Sequence, residues 1–331
     1  MQKIINKKIM VTGGAGYIGS NLVESLQKQT TIIVDNLSTG KKSLINKEVL
    51  FYKIDLGKKK KLENIFKKNK IETVFHLAAS LNVNESTKYP KKYYKNNVDN
   101  TDILIDLCKR YKIKYFIFSS TCAIFGDKNK KISEQMQINP VSIYAKTKAI
   151  SEKAIMKKFK NTDTKYAILR YFNVAGANMQ KKKGEINDHD HLIKNFSRQF
   201  LTKNPVFKIY GNNYGTKDGT CIRDYIHIKD LINIKIKTLN YLKKIKKNIV
   251  LNCGYGKGLS VLDIYKAFKK INPRLPKPTI QKRRAGDPSK AIADNTKLKK
   301  TLNFKPRYNN TLYIIKNSIK WEKFLLENKF Y

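Results

Sequence analysis

Apolar and polar positions follow two alternating rhythms through the first half of the chain. Short apolar runs at 9–12, 31–35, 50–54, 73–77, 115–119 and 166–171 have the length and β-branched content of buried strands. Between them, at 18–27, 62–68, 93–111 and 144–158, apolar residues recur with helical spacing. Such alternation predicts an α/β fold, a doubly wound parallel sheet covered on both faces. The pattern loosens after Asn173. Residues 179–190 are polar, contain Gly184 and predict a loop; 191–201 predicts a helix. A short strand at 207–210 precedes a glycine-rich loop at 211–219, and a strand at 248–253 would complete the sheet. A helix at 261–270, a stretch with Pro273, Pro276 and Pro278, and a terminal helix at 312–326 follow.

The first strand runs into a turn rich in glycine. Gly14, Gly16 and Gly19 have the spacing G-x-G-x-x-G, and Gly13, Gly16 and Gly19 the variant G-x-x-G-x-x-G. A glycine turn between strand and helix lets backbone N–H groups approach a pyrophosphate, and the helix N-terminus favours its charge. The next strand ends in Asp35, about 20 residues on, where a ribose-binding carboxylate is expected. A turn that merely packs a helix on the sheet would need no such acid. The expected organisation is therefore a Rossmann dinucleotide domain over 1–173, to which 222–253 returns, and a smaller substrate lobe from 174–221 and 254–331. Ligands of open α/β sheets bind at the carboxyl ends of the strands.

Composition narrows the classes. The 331 residues are 41% hydrophobic, enough for a packed core. No apolar run reaches the roughly 18 residues of a membrane span. The polar, lysine-rich start leads directly into the first strand, so no cleavable signal peptide is expected. Cys108, Cys122, Cys221 and Cys253 are scattered without C-x-x-C spacing, which predicts neither zinc site nor disulfide framework and favours a reducing cytoplasm. The net charge of +44 raises the question of a polyanion partner. The excess is lysine spread through the whole chain, whereas recognition surfaces favour arginine clusters with interleaved aromatics. A solvated basic surface without specific nucleic-acid binding is expected.

Tyr144 and Lys148 lie four apart at the start of a predicted helix, which places phenol and ammonium on one face. A nearby cation favours the phenolate, so Lys148 is expected to help lower the Tyr144 pKa. In a lysine-rich chain this spacing alone describes a surface pair equally well. The strand ending in Ser119-Ser120-Thr121 supplies the context, because Thr121 can orient both the phenol and a substrate hydroxyl.

These motifs resemble the extended short-chain dehydrogenases/reductases of the NAD-dependent epimerase/dehydratase family, and among them the UDP-glucose 4-epimerase group. The resemblance spans essentially the whole chain. It rests on the glycine turn 11–19, Asp35-Asn-Leu-Ser38, His76-Leu-Ala-Ala79, Tyr93-Tyr-Lys-Asn-Asn97 and Phe118-Ser-Ser-Thr121. It continues with Tyr144-x-x-x-Lys148, Leu169-Arg-Tyr-Phe-Asn173, the segment 218–227 and Arg283-Arg-Ala-Gly-Asp287. It implies an NAD cofactor contacted by Gly13, Gly16, Tyr17, Ile18 and Gly19 at the pyrophosphate. Asp35, Asn36, Leu37 and Ser38 would serve the adenosine ribose, Asp55 and Leu56 the adenine. Ala78, Ala79 and Asn96 would line the cofactor cleft, with Phe172 at the nicotinamide and Tyr144 and Lys148 also touching NAD. It implies Thr121, Tyr144 and Lys148 as catalytic residues. On the substrate side it implies Asn173, His191, Leu192, Tyr210, Arg223 and Arg284 around a UDP-sugar, with Asp287 at its ribose and Ala291 at the sugar.

The implied activity is interconversion of UDP-glucose and UDP-galactose through a 4-keto sugar, by a cytoplasmic homodimer. Several positions depart from the family. Cys122 and Ala123 follow Thr121 where related dehydratases carry an acidic pair, which argues against water elimination. Leu81 stands where some members have lysine, and His191 where many have asparagine. The small Ala291 leaves room for a 2-N-acetyl group, so N-acetylated UDP-sugars are expected as further substrates. Epimerisation of a UDP-pentose or UDP-uronate is the nearest alternative. A net oxidoreductase would release NADH, and a catalytically silent NAD-binding regulator would not need the intact trio. His76 and His227 read as polar core residues, and no metal site is expected.

Overall fold

The computed structural model describes residues 7–128, 130–187, 191–284 and 286–330. The start of the chain and the last three residues of the predicted loop at 179–190 lie outside this set. The chain divides into two compact units, each built from three segments: 1–124, 142–170 and 235–251, then 125–141, 171–234 and 252–331.

The first unit opens with β1 (Lys8–Thr12), α1 (Tyr17–Val23), β2 (Thr31–Asp35), β3 (Leu50–Lys53), α2 (Lys59–Lys68) and β4 (Ile71–His76). It continues with α3 (Val83–Lys88), α4 (Pro90–Tyr93), α5 (Asn100–Arg110), β5 (Tyr115–Thr121), α6 (Ile143–Lys158) and β6 (Lys165–Tyr171). The chain goes on through β7 (Asn173–Ala175), α7 (Leu192–Phe200), β8 (Lys208–Tyr210), β9 (Ile222–His227), α8 (Ile228–Ile245) and β10 (Ile249–Cys253). The seven-stranded sheet has the order β10-β6-β5-β4-β1-β2-β3. β1 pairs in parallel with β2 and β4, β2 with β3, and β4 with β5. The strand order reverses at β1, so the ends of β1 and β4 form the switch point where such sheets take ligands. Met10, Val11, Ile32, Ile33, Val74, Phe75, Phe116 and Phe118 are all fully buried, as strands covered on both faces require. Leu62, Ile65 and Phe66 of α2 and Leu104, Leu107 and Cys108 of α5 join that core.

Helix boundaries differ from the spacing-based ones for local reasons. α1 stops at Val23 because Ser25 and Leu26 donate to Leu22 and Val23, tightening the last turn to i→i−3 bonds. The predicted helix at 93–111 is interrupted by a π-helical stretch, Tyr94–Asp99, before α5. The 18-residue α8 and β9 before it were not separately anticipated; the division between the units falls inside α8. Residues 125–141 group with the second unit, where Ile132 pairs with Ala293 and exchanges backbone hydrogen bonds with Ile292 and Asp294.

The second unit adds β11 (Gly258–Ser260), α9 (Val261–Ile271), β12 (Thr279–Gln281), β13 (Lys290–Ala291), α10 (Thr296–Leu302) and α11 (Thr311–Glu327). β9 is the hub of its sheet: β11, β13 and β7 all pair with it. β8 and β12 form a separate parallel pair. An aromatic cluster of Phe196, Phe207, Tyr265 and Phe268 holds the core, with Phe196 edge-on to Phe207 at 5.1 Å.

Candidate active site

Three of the four glycines of the first turn do different work. Gly13 has φ +72°, and a Cβ there would lie 2.7 Å from the Ala78 nitrogen, so the turns after β1 and β4 touch at this point. A Cβ on Gly19 would lie 2.1 Å from the Gly13 carbonyl oxygen, so Gly19 is required for helix packing. Gly16 meets only that same oxygen, at 3.4 Å, and caps α1 without a side-chain hydrogen bond. Beside this turn, Asp35 accepts the N–H groups of Ala15 (3.0 Å) and Leu37 (2.8 Å). Burial pushes its pKa up, and those two N–H donors pull it back. Leu37 holds φ +61°, a costly conformation for a side chain with a Cβ.

Beyond Asp35 runs a polar chain. Asn36 donates to Asp55 (2.8 Å), and Asp55 also accepts from Asn100 (3.3 Å). Asn100 donates to Asn96 (3.4 Å), and Asn96 to Ser80 (3.0 Å). Asn97 accepts the Ser80 N–H (2.8 Å) and donates to Thr147 on α6 (3.1 Å). The π-helical stretch thereby ties the loop after β4 to the helix bearing Tyr144. The side chain of Leu56, expected to border the adenine, packs in the hydrophobic core.

Thr121 ends β5, Tyr144 is the second residue of α6, and Lys148 follows one turn later. Ser142 caps α6 by accepting the Ala145 N–H (3.1 Å), which fixes where that turn begins. Ser86 accepts the Tyr144 N–H (3.2 Å), and Thr121 Oγ1 accepts the Ala123 N–H (3.1 Å). Burial pushes the Tyr144 phenol up to about 12, against the Thr121 side chain, which favours ionisation. The expected lowering by Lys148 is therefore not a property of this protein on its own. Burial brings Lys148 itself down to about 7, with Glu152 acting in the opposite direction. Lys148 Nζ lies 4.1 Å from the centre of the Phe118 ring. The side chain is only 3% exposed. His76 bridges Thr12 (2.7 Å) and Thr101 (2.8 Å), a polar core role; burial, then the Lys148 charge, bring it down to about 3.

In the second unit, β9 aligns the residues expected at the substrate. Asn173 is in register with Tyr225, and Ala291 with Arg223, two positions along the same strand face. Arg223 Nη2 donates to Asp287 Oδ1 at 2.5 Å, and Tyr214 donates to the other carboxylate oxygen at 3.3 Å. Arg284 stacks on Tyr210 at 4.0 Å and Arg283 on Tyr214 at 3.9 Å. Asn173, His191 and Leu192 line one cleft with Glu185, Lys194 and Trp321. His191 Nδ1 lies 2.6 Å from Glu185 Oε1. Phe172 is buried and donates its N–H to the Cys253 carbonyl (3.3 Å). Tyr214, Arg283, Glu185 and Lys194 were not singled out in the sequence, although Arg283 adjoins Arg284 in a quoted motif.

The profile of the NAD dependent epimerase/dehydratase family matches residues 9–254. The chain belongs to this family. The UDP-glucose 4-epimerase of Lactobacillus helveticus is 38% identical over 322 residues, covering 96% of this chain and 97% of that one. The crystal structure of UDP-glucose 4-epimerase from Brucella ovis in complex with NAD superposes with a TM-score of 0.87 at 34% identity, covering 95% and 98% of the two chains. The UDP-Glc/GlcNAc 4-epimerase of Campylobacter jejuni gives a TM-score of 0.82 at 36% identity, covering 96% and 99%. The first unit fits the family's dinucleotide on its own geometry: the turn stays open at Gly16, where a Cβ would meet one atom at 3.4 Å, as close approach of a pyrophosphate requires.

Proposed function

We propose that this member of the epimerase/dehydratase family interconverts UDP-glucose and UDP-galactose by NAD-dependent C4 epimerisation. The observation that carries the reading is the assembly of Thr121, Tyr144 and Lys148 at the end of β5 and the start of α6, in the unit with the dinucleotide turn. Gly13, Gly16 and Asp35 would hold NAD, which would supply reversible hydride acceptance at the sugar C4. Tyr144 Oη takes the proton of the C4 hydroxyl. Tyr144 enters this step as the phenolate, its own proton lost to solvent beforehand, and ends it as the phenol; because burial holds the phenol near 12, that ionisation depends on the Lys148 ammonium to stabilise the phenolate. Thr121 orients the phenol and the sugar hydroxyl. Arg223, Arg284 and the Asn173–His191 cleft hold the diphosphate and uridine, with Asp287 at the ribose. Guanidinium forks suit a diphosphate, and binding the part that does not react leaves the 4-keto sugar free to turn its other face before reduction.

Offering UDP-glucose or UDP-galactose without added NAD should yield the same equilibrium mixture from either side. Tyr144→Phe should lose turnover at least a hundredfold while keeping NAD bound; near-normal activity would refute the assignment. Ala291 lies in register with Arg223 and is small, which favours acceptance of N-acetylated sugars as well. Ala291→Tyr should abolish turnover of UDP-N-acetylglucosamine selectively, and equal loss on both sugars would remove the size argument. Exposed Val83, Tyr89, Tyr94 and Ile150 on and around α3, α4 and α6 support a homodimer, which light scattering of the purified protein decides. No described helix is long and apolar enough to cross a membrane. None of the four cysteines forms a disulfide, which supports a reducing, cytoplasmic setting.

A further inference from the structure

Behind the Tyr144–Lys148 face, α6 carries an acid that the reaction above does not use. Glu152 is one turn beyond Lys148 and fully buried. Arg170 on β6 grips it through Nε (3.1 and 3.3 Å) and Nη2 (2.7 Å). Ser120, the residue before Thr121, donates to the same carboxylate at 2.5 Å. A buried ion pair is poor value for stability, because apolar residues of similar volume serve as well or better. Its position suggests another use. We propose that Glu152 is a positioning residue, held by Arg170 and Ser120, whose negative charge keeps Lys148 as the ammonium ion that the Tyr144 phenolate requires.

The surroundings of Lys148 leave few other groups for this task. His76 on β4 is neutral and engaged by two threonines. Tyr144 on α6 is a neutral phenol in the protein alone, because burial holds its pKa near 12. Tyr93, which lies near the phenol, donates to Glu85 (2.8 Å), whose carboxylate is also paired with Lys92 (2.6 Å). Lys235 on α8 donates to Ser119 at 3.2 Å and supplies no acid to the site. Glu152 is the carboxylate that acts on Lys148, and it does so without a direct contact, so the ammonium stays available to ligands.

The test uses holoenzyme with [ε-13C]lysine, following the Cε shift against pH. Ordinary lysines titrate near 10.4, so Lys148 stands apart and is assigned by loss of its signal in Lys148→Arg. Two variants are compared with wild type: Glu152→Gln, and Glu152→Met with Arg170→Met, which removes the pair without leaving a buried charge. Both should move the Lys148 midpoint down by about one pH unit, and kcat at pH 8 down by about tenfold with KM for UDP-glucose unchanged. If Glu152→Gln fails to fold, the double variant carries the test alone. A double variant with the wild-type midpoint and pH profile would overturn the proposal, leaving the pair a folding element. The kinetic arm rests on the epimerase reading and the titration arm does not, so a moved midpoint without any epimerisation would refute that reading and not this one.

Discussion

Alanine substitution at Gly13, Gly16 and Gly19 separates what the first turn needs to fold from what it needs to hold a dinucleotide. At Gly19 the new Cβ would lie 2.1 Å from the Gly13 oxygen and 2.8 Å from the Gly14 Cα, and backbone cannot yield as a side chain tip can. Overpacking costs about 1–3 kcal/mol, against which alanine's helix preference returns about 1 kcal/mol. At Gly13 the clash with Ala78 and Leu77 backbone adds to a left-handed φ of +72°, itself about 1–2 kcal/mol. Net losses of up to about 2 kcal/mol at Gly19 and about 2–5 kcal/mol at Gly13 follow, at about 2–4 °C in Tm per kcal/mol for a domain of 150–250 residues. Gly16, at φ −84° with one contact at 3.4 Å, should lose less than about 1 kcal/mol, the difference between glycine and alanine at a helix cap. Its methyl would instead occupy the space a pyrophosphate approaches. The assay pairs thermal unfolding of the cofactor-stripped proteins with NAD content after purification. Gly16→Ala should keep its Tm and lose NAD affinity by about tenfold or more. If it unfolds as early as Gly19→Ala yet retains NAD, the division of roles is wrong.

Acid should weaken the fold through His76. Its pKa of about 3 in the folded chain lies below the unfolded value near 6.5, so its contribution is whole above 6.5 and lost as pH falls toward 3, by about 1.4 kcal/mol per pH unit. Urea unfolding of wild type and His76→Gln at pH 7 and pH 4.5 should show their difference shrinking by about 3 kcal/mol. Asp224, which burial pushes up to about 6, acts in the opposite sense in both proteins and cancels; a constant difference would mean that His76 is not held neutral. At the substrate side, Arg223→Lys keeps a charge but loses the fork held by Asp287, and should raise KM for UDP-glucose about tenfold with kcat nearly unchanged. A fall in kcat alone would place Arg223 in the chemical step.

The sheet was legible because its signal is local. Runs such as Ile32-Ile33-Val34 and Phe116-Ile117-Phe118 are apolar on both faces, and only a covered parallel sheet uses such strands. Elements whose burial depends on distant partners were harder to read. α8 carries Lys229, Lys235, Lys237, Lys243 and Lys244, so its polar positions mask its apolar stripe, and Lys235 is itself fully buried against Ser119. The π-helical interruption at Tyr94–Asp99 has no spacing signature, because it turns on where Asn96 and Asn97 find partners. Arg223 and Asp287 were each expected at the substrate, and nothing in their spacing pointed to the other as a partner. They pair with one another at 2.5 Å.

The electrostatics of the Tyr144 site lay furthest from sequence reasoning. Spacing alone puts a cation one turn from a phenol, and the simple consequence is a lowered phenol pKa. Burial decides otherwise: it raises the phenol to about 12 and brings the lysine to about 7, so each group moves toward its neutral form. A pair in that condition is a poor base until charge arrives from outside it. The one-turn repeat 144, 148, 152 was visible in the sequence, but only the fold shows that its third member ends on Arg170 and Ser120 rather than in solvent. A buried acid behind the lysine then offsets part of what burial removes, and the reactive proton moves only when ligand and protein charges act on Tyr144 together.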